Sequence, residues 1–309
     1  MKIVIFGTGG VGGYFGGRLA QAGEDVTFIA RGEHLKAIQT SGLKISSIQG
    51  DFIIHPAQAT DLTQAIGKVD LVILAMKAWQ LDFALEEIKN LIGENTVILP
   101  LLNGMEHMEI LISQFGKKKI IGGLCRISSF IAGAGHIEHV NINPYIAFGE
   151  LDNSRSERIE NIYKMFSKIE NITAEIPADI HVAMWEKFVF IAGTSGVGAI
   201  TRKPIDEYRD IPESREMLIN TMAETANVAR AYGVKLSENL VDDIMKRIDQ
   251  SPKGMFASMQ KDIMAGRPSE LDNQTGAVIR MGRAVHISTP TNIKIYEELL
   301  PLENEARGL

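Results

Sequence analysis

Read for its apolar and polar positions, the chain keeps two rhythms. In the first, Lys2-Ile3-Val4-Ile5-Phe6 and Asp25-Val26-Thr27-Phe28-Ile29-Ala30 are short runs rich in β-branched residues, spaced as two strands with one helix between them. Helical spacing follows over Gly32–Gln39. Leu43–Ser46 and Phe52–Ile54 then read as short strands joined by a Gly50-Asp51 turn, an insertion before the next core strand. Val69–Met76 is apolar almost without interruption, as a parallel strand buried on both faces should be. A helix from about Gln80 to Ile92 and a buried strand over Asn95–Leu102 complete an alternation that predicts an α/β sheet.

From Ile120 to Gly149 the pattern turns to successive β segments, His136–Val140 and Tyr145–Phe148 among them. It predicts that the sheet continues with antiparallel strands. Residues 151–168 read as an amphipathic helix and Ile172–Ile176 as a last edge strand. Beyond Pro177 the second rhythm takes over and is helical: 179–199, 213–232, 237–248, 255–265, 270–285 and 291–300. The expected fold is an α/β nucleotide domain over residues 1–176 followed by an all-helical domain over 177–309. No internal repeat or low-complexity segment interrupts either.

The junction of the first strand with its helix carries the clearest chemistry. Gly7-Thr8-Gly9-Gly10-Val11-Gly12 fits G-x-G-x-x-G and sits between a predicted strand and a predicted helix, with a second strand at βαβ spacing. In such a turn Gly7 permits the reversal, Gly9 lets a pyrophosphate approach the backbone and Gly12 lets helix and strand pack closely. Helix N-terminal amides then face the phosphates. The second strand ends in Arg31, where an NAD site usually carries Asp or Glu for the ribose hydroxyls. A guanidinium suits a 2′-phosphate, so NADP(H) is expected over NAD(H); the alternative is a solvated Arg31 with Glu33 supplying the carboxylate. In open α/β sheets ligands lie beyond the carboxyl ends of the strands, which singles out Lys77 and Asn103 as well. Both also admit a plainer reading, as a solvated lysine and an Asn-Gly turn. Within the segment Met184–Gly193, Lys187 stands among apolar residues. It either extends its ammonium to water along its stem or serves as a proton donor aimed at a ligand.

Composition narrows the partners. A net charge of -6 and a pI of about 5.7 give no electrostatic reason to expect nucleic acid or an anionic membrane surface. No run of apolar residues is long enough to cross a bilayer, and the N-terminus enters a strand directly, so a cytoplasmic protein is expected. The single cysteine, Cys125, excludes an intrachain disulfide and reads as core. His136 and His139 have H-x-x-H spacing. On a strand they face opposite sides, and no third ligand lies nearby, so no metal is expected.

Together, Gly7–Gly12, Lys77-Ala78-Trp79-Gln80, Asn103-Gly104-Met105, Trp185-Glu186-Lys187 and Ser258-Met259-Gln260-Lys261-Asp262 followed by Glu270 resemble the ketopantoate reductase (2-dehydropantoate 2-reductase) family over nearly the whole chain. The resemblance implies NADPH-dependent reduction of a small 2-oxo acid to a 2-hydroxy acid, in pantothenate biosynthesis, by a Rossmann domain joined to a helical domain. It implies Lys187 as proton donor, Asn103 as a contact to both cofactor and substrate, and Ser258 as the substrate-carboxylate contact. Glu270 becomes the acidic residue beside cofactor and reacting group, and Lys77 and Arg31 cofactor contacts along with Gly7, Thr8, Gly9, Gly10, Val11 and Gly12. A homodimer is left open.

Two departures from the family pattern bear on substrate. Asparagines expected one and two turns after the lysine are Ile191 and Ser195 here, and one expected three residues before Ser258 is Met255. Ser195, and Thr194 beside it, could still serve the carboxylate and ketone. Three further readings therefore stand beside ketopantoate reductase: a reductase of another 2-oxo acid, a non-catalytic NADP(H)-sensing protein, and a 3-hydroxy acid dehydrogenase. Lys187 and Glu270 argue against a sensor, and the Lys77–Gln80 and Asn103–Met105 segments argue against the dehydrogenase.

Overall fold

The computed structural model describes residues 1–309. Its N-terminal alternation folds as β1 (Lys2–Phe6), α1 (Gly10–Gln21), β2 (Asp25–Ile29), α2 (Gly32–Ser41), β3 (Leu43–Ser47), β4 (Phe52–Ile54), β5 (Gln58–Thr60), β6 (Val69–Leu74), α3 (Leu81–Lys89) and β7 (Ile92–Pro100). Strands β5-β2-β1-β6-β7 form one sheet in that order, every pair parallel. The order reverses at β1, whose neighbours are β2 and β6, so the loop leaving β1 lies at the switch point where such sheets hold ligands. Ile3, Val4, Ile5, Leu71, Val72 and Ile73 are fully buried, which is why these strands read as continuous apolar runs. Edge strand β5 was not predicted: Gln58-Ala59-Thr60 offers no apolar run to mark it.

The chain continues through α4 (His107–Phe115), β8 (Gly122–Arg126), β9 (Ser129–Gly133), β10 (His136–His139), β11 (Tyr145–Gly149), α5 (Glu157–Ser167) and β12 (Thr173–Glu175). The expectation that these strands extend the parallel sheet is corrected. They divide between a four-stranded sheet, β4-β3-β10-β9, and a three-stranded one, β12-β11-β8. Only an isolated parallel bridge, Ile98 to Ile120, ties β7 to the segment before β8. The physical reason lies in α1. An added Cβ on Gly12 or Gly16 would meet Ile5 at 2.8 or 2.5 Å, and one on Gly13 or Gly17 would meet Ile137 or Ile45 at 2.6 or 2.9 Å. The helix therefore presses one small-residue stripe on β1 and another on β10 and β3, which calls for a second sheet. The amphipathic helix predicted from 151 begins at Glu157, where the Ser156 hydroxyl caps it by accepting from the Ile159 N–H at 3.3 Å.

The rest is helical: α6 (Ile180–Thr201), α7 (Ile205–Tyr208), α8 (Pro212–Ala231), α9 (Leu240–Asp249), α10 (Ser258–Met264), a π-helical turn (Asp272–Gly276), α11 (Ala277–Ala284) and α12 (Pro290–Arg307). Its central element is α6. A Cβ on Gly193 would meet Met222 of α8 at 2.7 Å, one on Gly196 would meet Ile295 of α12 at 2.9 Å, and one on Gly198 would meet Gln260 of α10 at 2.5 Å. Three helices thus close on α6 where it has no side chains. The chain divides into two compact units, residues 1–102 with 107–180 and residues 103–106 with 181–309.

Candidate active site

In the first unit, the strand-to-helix turn leaves β1 at Gly7, whose φ of +100° and 2.6 Å clearance from the Met76 nitrogen exclude a side chain. A Cβ on Gly12 would lie 2.0 Å from the Gly7 carbonyl oxygen, and one on Gly10 2.3 Å from that of Ser129. Gly9 differs, because nothing lies within 4 Å of where its side chain would be. The closed positions fold the turn, and the open one leaves room for a ligand. Gly9 caps α1 without a side-chain bond, and the first turn of α1 holds no acidic residue. Its amides and positive dipole end therefore fit a dinucleotide's phosphates.

Two side chains brace this turn. The Thr8 hydroxyl donates to the Ile29 carbonyl at 2.9 Å. His34 of α2 accepts from the Gly135 N–H at Nδ1, 3.0 Å, which leaves Nε2 to donate to the Thr8 carbonyl at 2.9 Å. Burial, opposed by the Thr8 bond, lowers the pKa of this ring. Nothing in the local pattern of α2 marked His34 for such a role.

Arg31 caps α2 and is exposed, with Nη2 donating to Glu87 Oε1 at 2.6 Å. An ion pair in which the arginine side chain is 65% exposed contributes only about 0–1 kcal/mol, so the guanidinium is easily recruited by a stronger anion. Glu33, the alternative ribose contact, pairs with Lys36 at 2.7 Å. Lys77 opens a 3₁₀ turn closed reciprocally: the Gln80 side chain accepts from the Lys77 N–H at 3.1 Å, and the Gln80 N–H donates to the Lys77 carbonyl at 2.9 Å. His136 and His139 have separate partners, Ser46 for the former and Ser47 with the Ile142 carbonyl for the latter. Cys125 is buried.

The second unit gathers the other candidates. Asn103 Nδ2 donates to Glu270 Oε2 at 3.0 Å across 167 residues of sequence. Each partner is held by its own clamp. On one side, Gly104 has φ +90° and lies so close to the Asn273 carbonyl that a Cβ would approach it to 2.3 Å. Arg280 grips Glu106 in a two-pronged pair, 2.9 and 2.6 Å, and Asp272 at 2.8 Å. These carboxylates, acting against burial, raise the Arg280 pKa. On the other side, the Ser269 N–H donates to both oxygens of the buried Glu303 carboxylate at 3.0 and 3.1 Å. Arg307 Nε donates to the same carboxylate at 2.6 Å. Glu270 itself is 2% exposed.

Lys187, Ile191 and Ser195 follow one another at i, i+4 and i+8 on α6, so they share a strip of that helix. Lys187 and Ile191 are half-buried, and Ser195 and Thr194 are buried. The Thr194 hydroxyl donates to the Phe190 carbonyl at 2.8 Å. Ser258 is the exposed first residue of α10, whose start repeats the Lys77 device: Gln260 Oε1 accepts from the Ala257 N–H at 3.2 Å. Half-buried Met255 precedes it. The clearest contact among these candidates is the Asn103–Glu270 pair. Glu106, Arg280 and Glu303, which hold it in place, carried no sequence signal, since Glu106 meets Arg280 across 174 residues and Glu303 meets Ser269 across 34.

Comparison with known proteins places the chain in a family. A family model described as ketopantoate reductase PanE/ApbA matches residues 3–153, and one described as ketopantoate reductase PanE/ApbA C terminal matches residues 179–303. The chain therefore belongs to the ketopantoate reductase family, and it is an NAD(P)-dependent oxidoreductase. It is 32% identical over 309 residues to the uncharacterized oxidoreductase YkpB of Bacillus subtilis strain 168, covering 99% of this chain and all of that one. The crystal structure of 2-dehydropantoate 2-reductase from Geobacter metallireducens GS-15 superposes with a TM-score of 0.89 at 30% identity, covering 99% of this chain and 100% of that one. The ternary structure of D-mandelate dehydrogenase with NADH and anilino(oxo)acetate gives a TM-score of 0.90 at 24% identity, covering 99% and 100%, a likeness of fold.

Proposed function

We propose that this protein reduces 2-dehydropantoate (ketopantoate) to pantoate with NADPH, a step of pantothenate biosynthesis in the cytoplasm. The observation that carries the reading is the Asn103–Glu270 hydrogen bond, which pairs a carboxamide following a sheet strand with a buried carboxylate of the helical unit. NADPH supplies the hydride when bound. Gly7–Gly12, with the start of α1, hold its phosphates, Lys77 assists them, and Arg31 turns from Glu87 to the 2′-phosphate, which gives NADPH preference over NADH. Ser258 takes the substrate carboxylate, and Asn103 orients the ketone. Lys187 donates a proton to the ketone oxygen as negative charge develops there. Glu270, fixed by Asn103, serves as the acidic residue beside cofactor and reacting group.

A second reading keeps this mechanism with another 2-oxo acid, and half-buried Ile191 favours it, because an apolar side chain there suits an apolar branched tail. Steady-state oxidation of NADPH with ketopantoate and 2-oxoisovalerate, in wild type and Ile191→Asn, decides between the two. A higher kcat/KM for ketopantoate supports the first reading. A wild-type preference for 2-oxoisovalerate that Ile191→Asn reverses supports the second.

A further inference from the structure

The turn that follows Glu270 is anomalous. Residues Asp272–Gly276 form a π-helical turn, and three consecutive side chains within it carry a buried oxygen with no hydrogen-bond partner: Asn273 Oδ1, Gln274 Oε1 and Thr275 Oγ1. Buried polar groups are nearly always satisfied, and single π turns recur at functional sites. The three are not equivalent. Thr275 faces inward, its hydroxyl oxygen 3.8 Å from where a Cβ on Gly196 would sit. Gly196 is nine residues beyond Lys187 and so lies on the opposite side of α6. Asn273 is half-buried and engaged through its backbone, packed on Gly104. Gln274 is 1% exposed.

The Gln274 N–H donates to the Glu270 carbonyl at 2.9 Å, which places the two residues one turn apart on the same face. That is the face on which Glu270 meets Asn103. A neutral carboxamide buried one turn beyond the candidate catalytic carboxylate, with its acceptor unused, costs stability unless a ligand completes it. We propose that Gln274 is a specificity-determining residue whose side-chain carbonyl accepts a hydrogen bond from a hydroxyl on the tail of the 2-oxo acid. The assignment rests on the functional reading given above and sharpens it: the substrate class is a 2-oxo acid bearing a tail donor. The other ligand group with a donor for such an acceptor is the carboxamide of a nicotinamide ring.

The test compares wild type with Gln274→Leu and, as a volume-preserving second variant, Gln274→Met. Three quantities are read: kcat/KM for ketopantoate, kcat/KM for 2-oxoisovalerate, which lacks the hydroxymethyl group, and the Kd of NADPH by fluorescence titration. The expected result is a loss of about tenfold or more for ketopantoate, with 2-oxoisovalerate and the NADPH Kd held within about twofold. Equal losses on both oxo acids would mean a packing role, and no loss on either would mean that the carboxamide touches nothing. A weakened NADPH Kd would give the contact to the nicotinamide. Each of these three results overturns the assignment while leaving the ketopantoate reading standing. A wild-type protein that reduces neither oxo acid removes both.

Discussion

The glycine turn and the Asn103–Glu270 pair are built in opposite ways. The turn is six consecutive residues whose shape follows from what their missing side chains would strike: the Gly7 carbonyl, Met76 and Ser129. The pair joins residues 167 positions apart, and each partner depends on a clamp made elsewhere, Arg280 for one and Glu303 with Arg307 for the other. A local site of the first kind can be recognised from its own stretch of chain. One of the second kind exists only once the chain has folded.

That contrast can be broken most directly at Lys187. Lys187→Ala should lower kcat by about 10²–10⁴ while leaving the NADPH Kd nearly unchanged, as expected when a general acid is removed. Rapid-quench or steady-state rates beside a fluorescence titration would show it, and a variant that keeps most of its kcat places the proton source elsewhere. Next in size is Arg31. Arg31→Ala should reduce the preference for NADPH over NADH by one to two decades, the worth of a charge-assisted bond of about 1.5–3 kcal/mol. Glu87→Gln should shift the same ratio the other way, by at most about 1 kcal/mol, because it releases the guanidinium from a weak pair.

Gly9 sharpens the comparison further. Its Cβ direction is empty, so Gly9→Ala should melt like wild type yet bind NADPH about tenfold more weakly, the methyl occupying space a phosphate needs. Equal binding by the variant would mean that no ligand approaches the backbone there. The smallest effect is expected at His34. Its pKa is lowered by burial, against the bond to the Thr8 carbonyl, so the unfolded ring takes up its proton first. Stability contributed by the neutral ring is complete above about pH 6.5 and is lost as pH falls from there through the folded-state pKa. Thermal melts from pH 7.5 to 5 should show a shallower decline for His34→Gln than for wild type.

The legibility of the chain follows the same division. Strands β1, β2, β6 and β7 were readable because burial on both faces demands unbroken apolar runs, and the long helices after Pro177 because their period is sustained. Edge strand β5 was not, since Gln58-Ala59-Thr60 has no apolar run and is held by hydrogen bonds to β2 and to the Gln39 side chain. The second sheet is not legible because strand patterns carry no information about partners; the paired glycine stripes of α1 account for it. Among candidate site residues, Lys187, Asn103 and Glu270 are reached through resemblance, with the first two also marked by position or setting. Nothing around His34 or Gln274 marked them, because a histidine on a half-buried helix and a glutamine among other polar residues acquire meaning only from their hydrogen-bond partners, or from having none.

The membership of residues 103–106 in the second unit also bears on how members of this family can be recombined. A crossover placed near Pro177, where the composition of the chain changes, would exchange the helical unit but leave behind Asn103 and Glu106, replacing them with residues shaped beside another protein's Glu270 and Arg280. Chimeras that carry 103–106 together with 181–309 should retain the hydrogen bond and its clamp, whereas those cut only once put the Glu106–Arg280 clamp at risk. The unit that keeps this hydrogen bond and its clamp together is therefore discontinuous in sequence, and four residues from before the boundary belong to it.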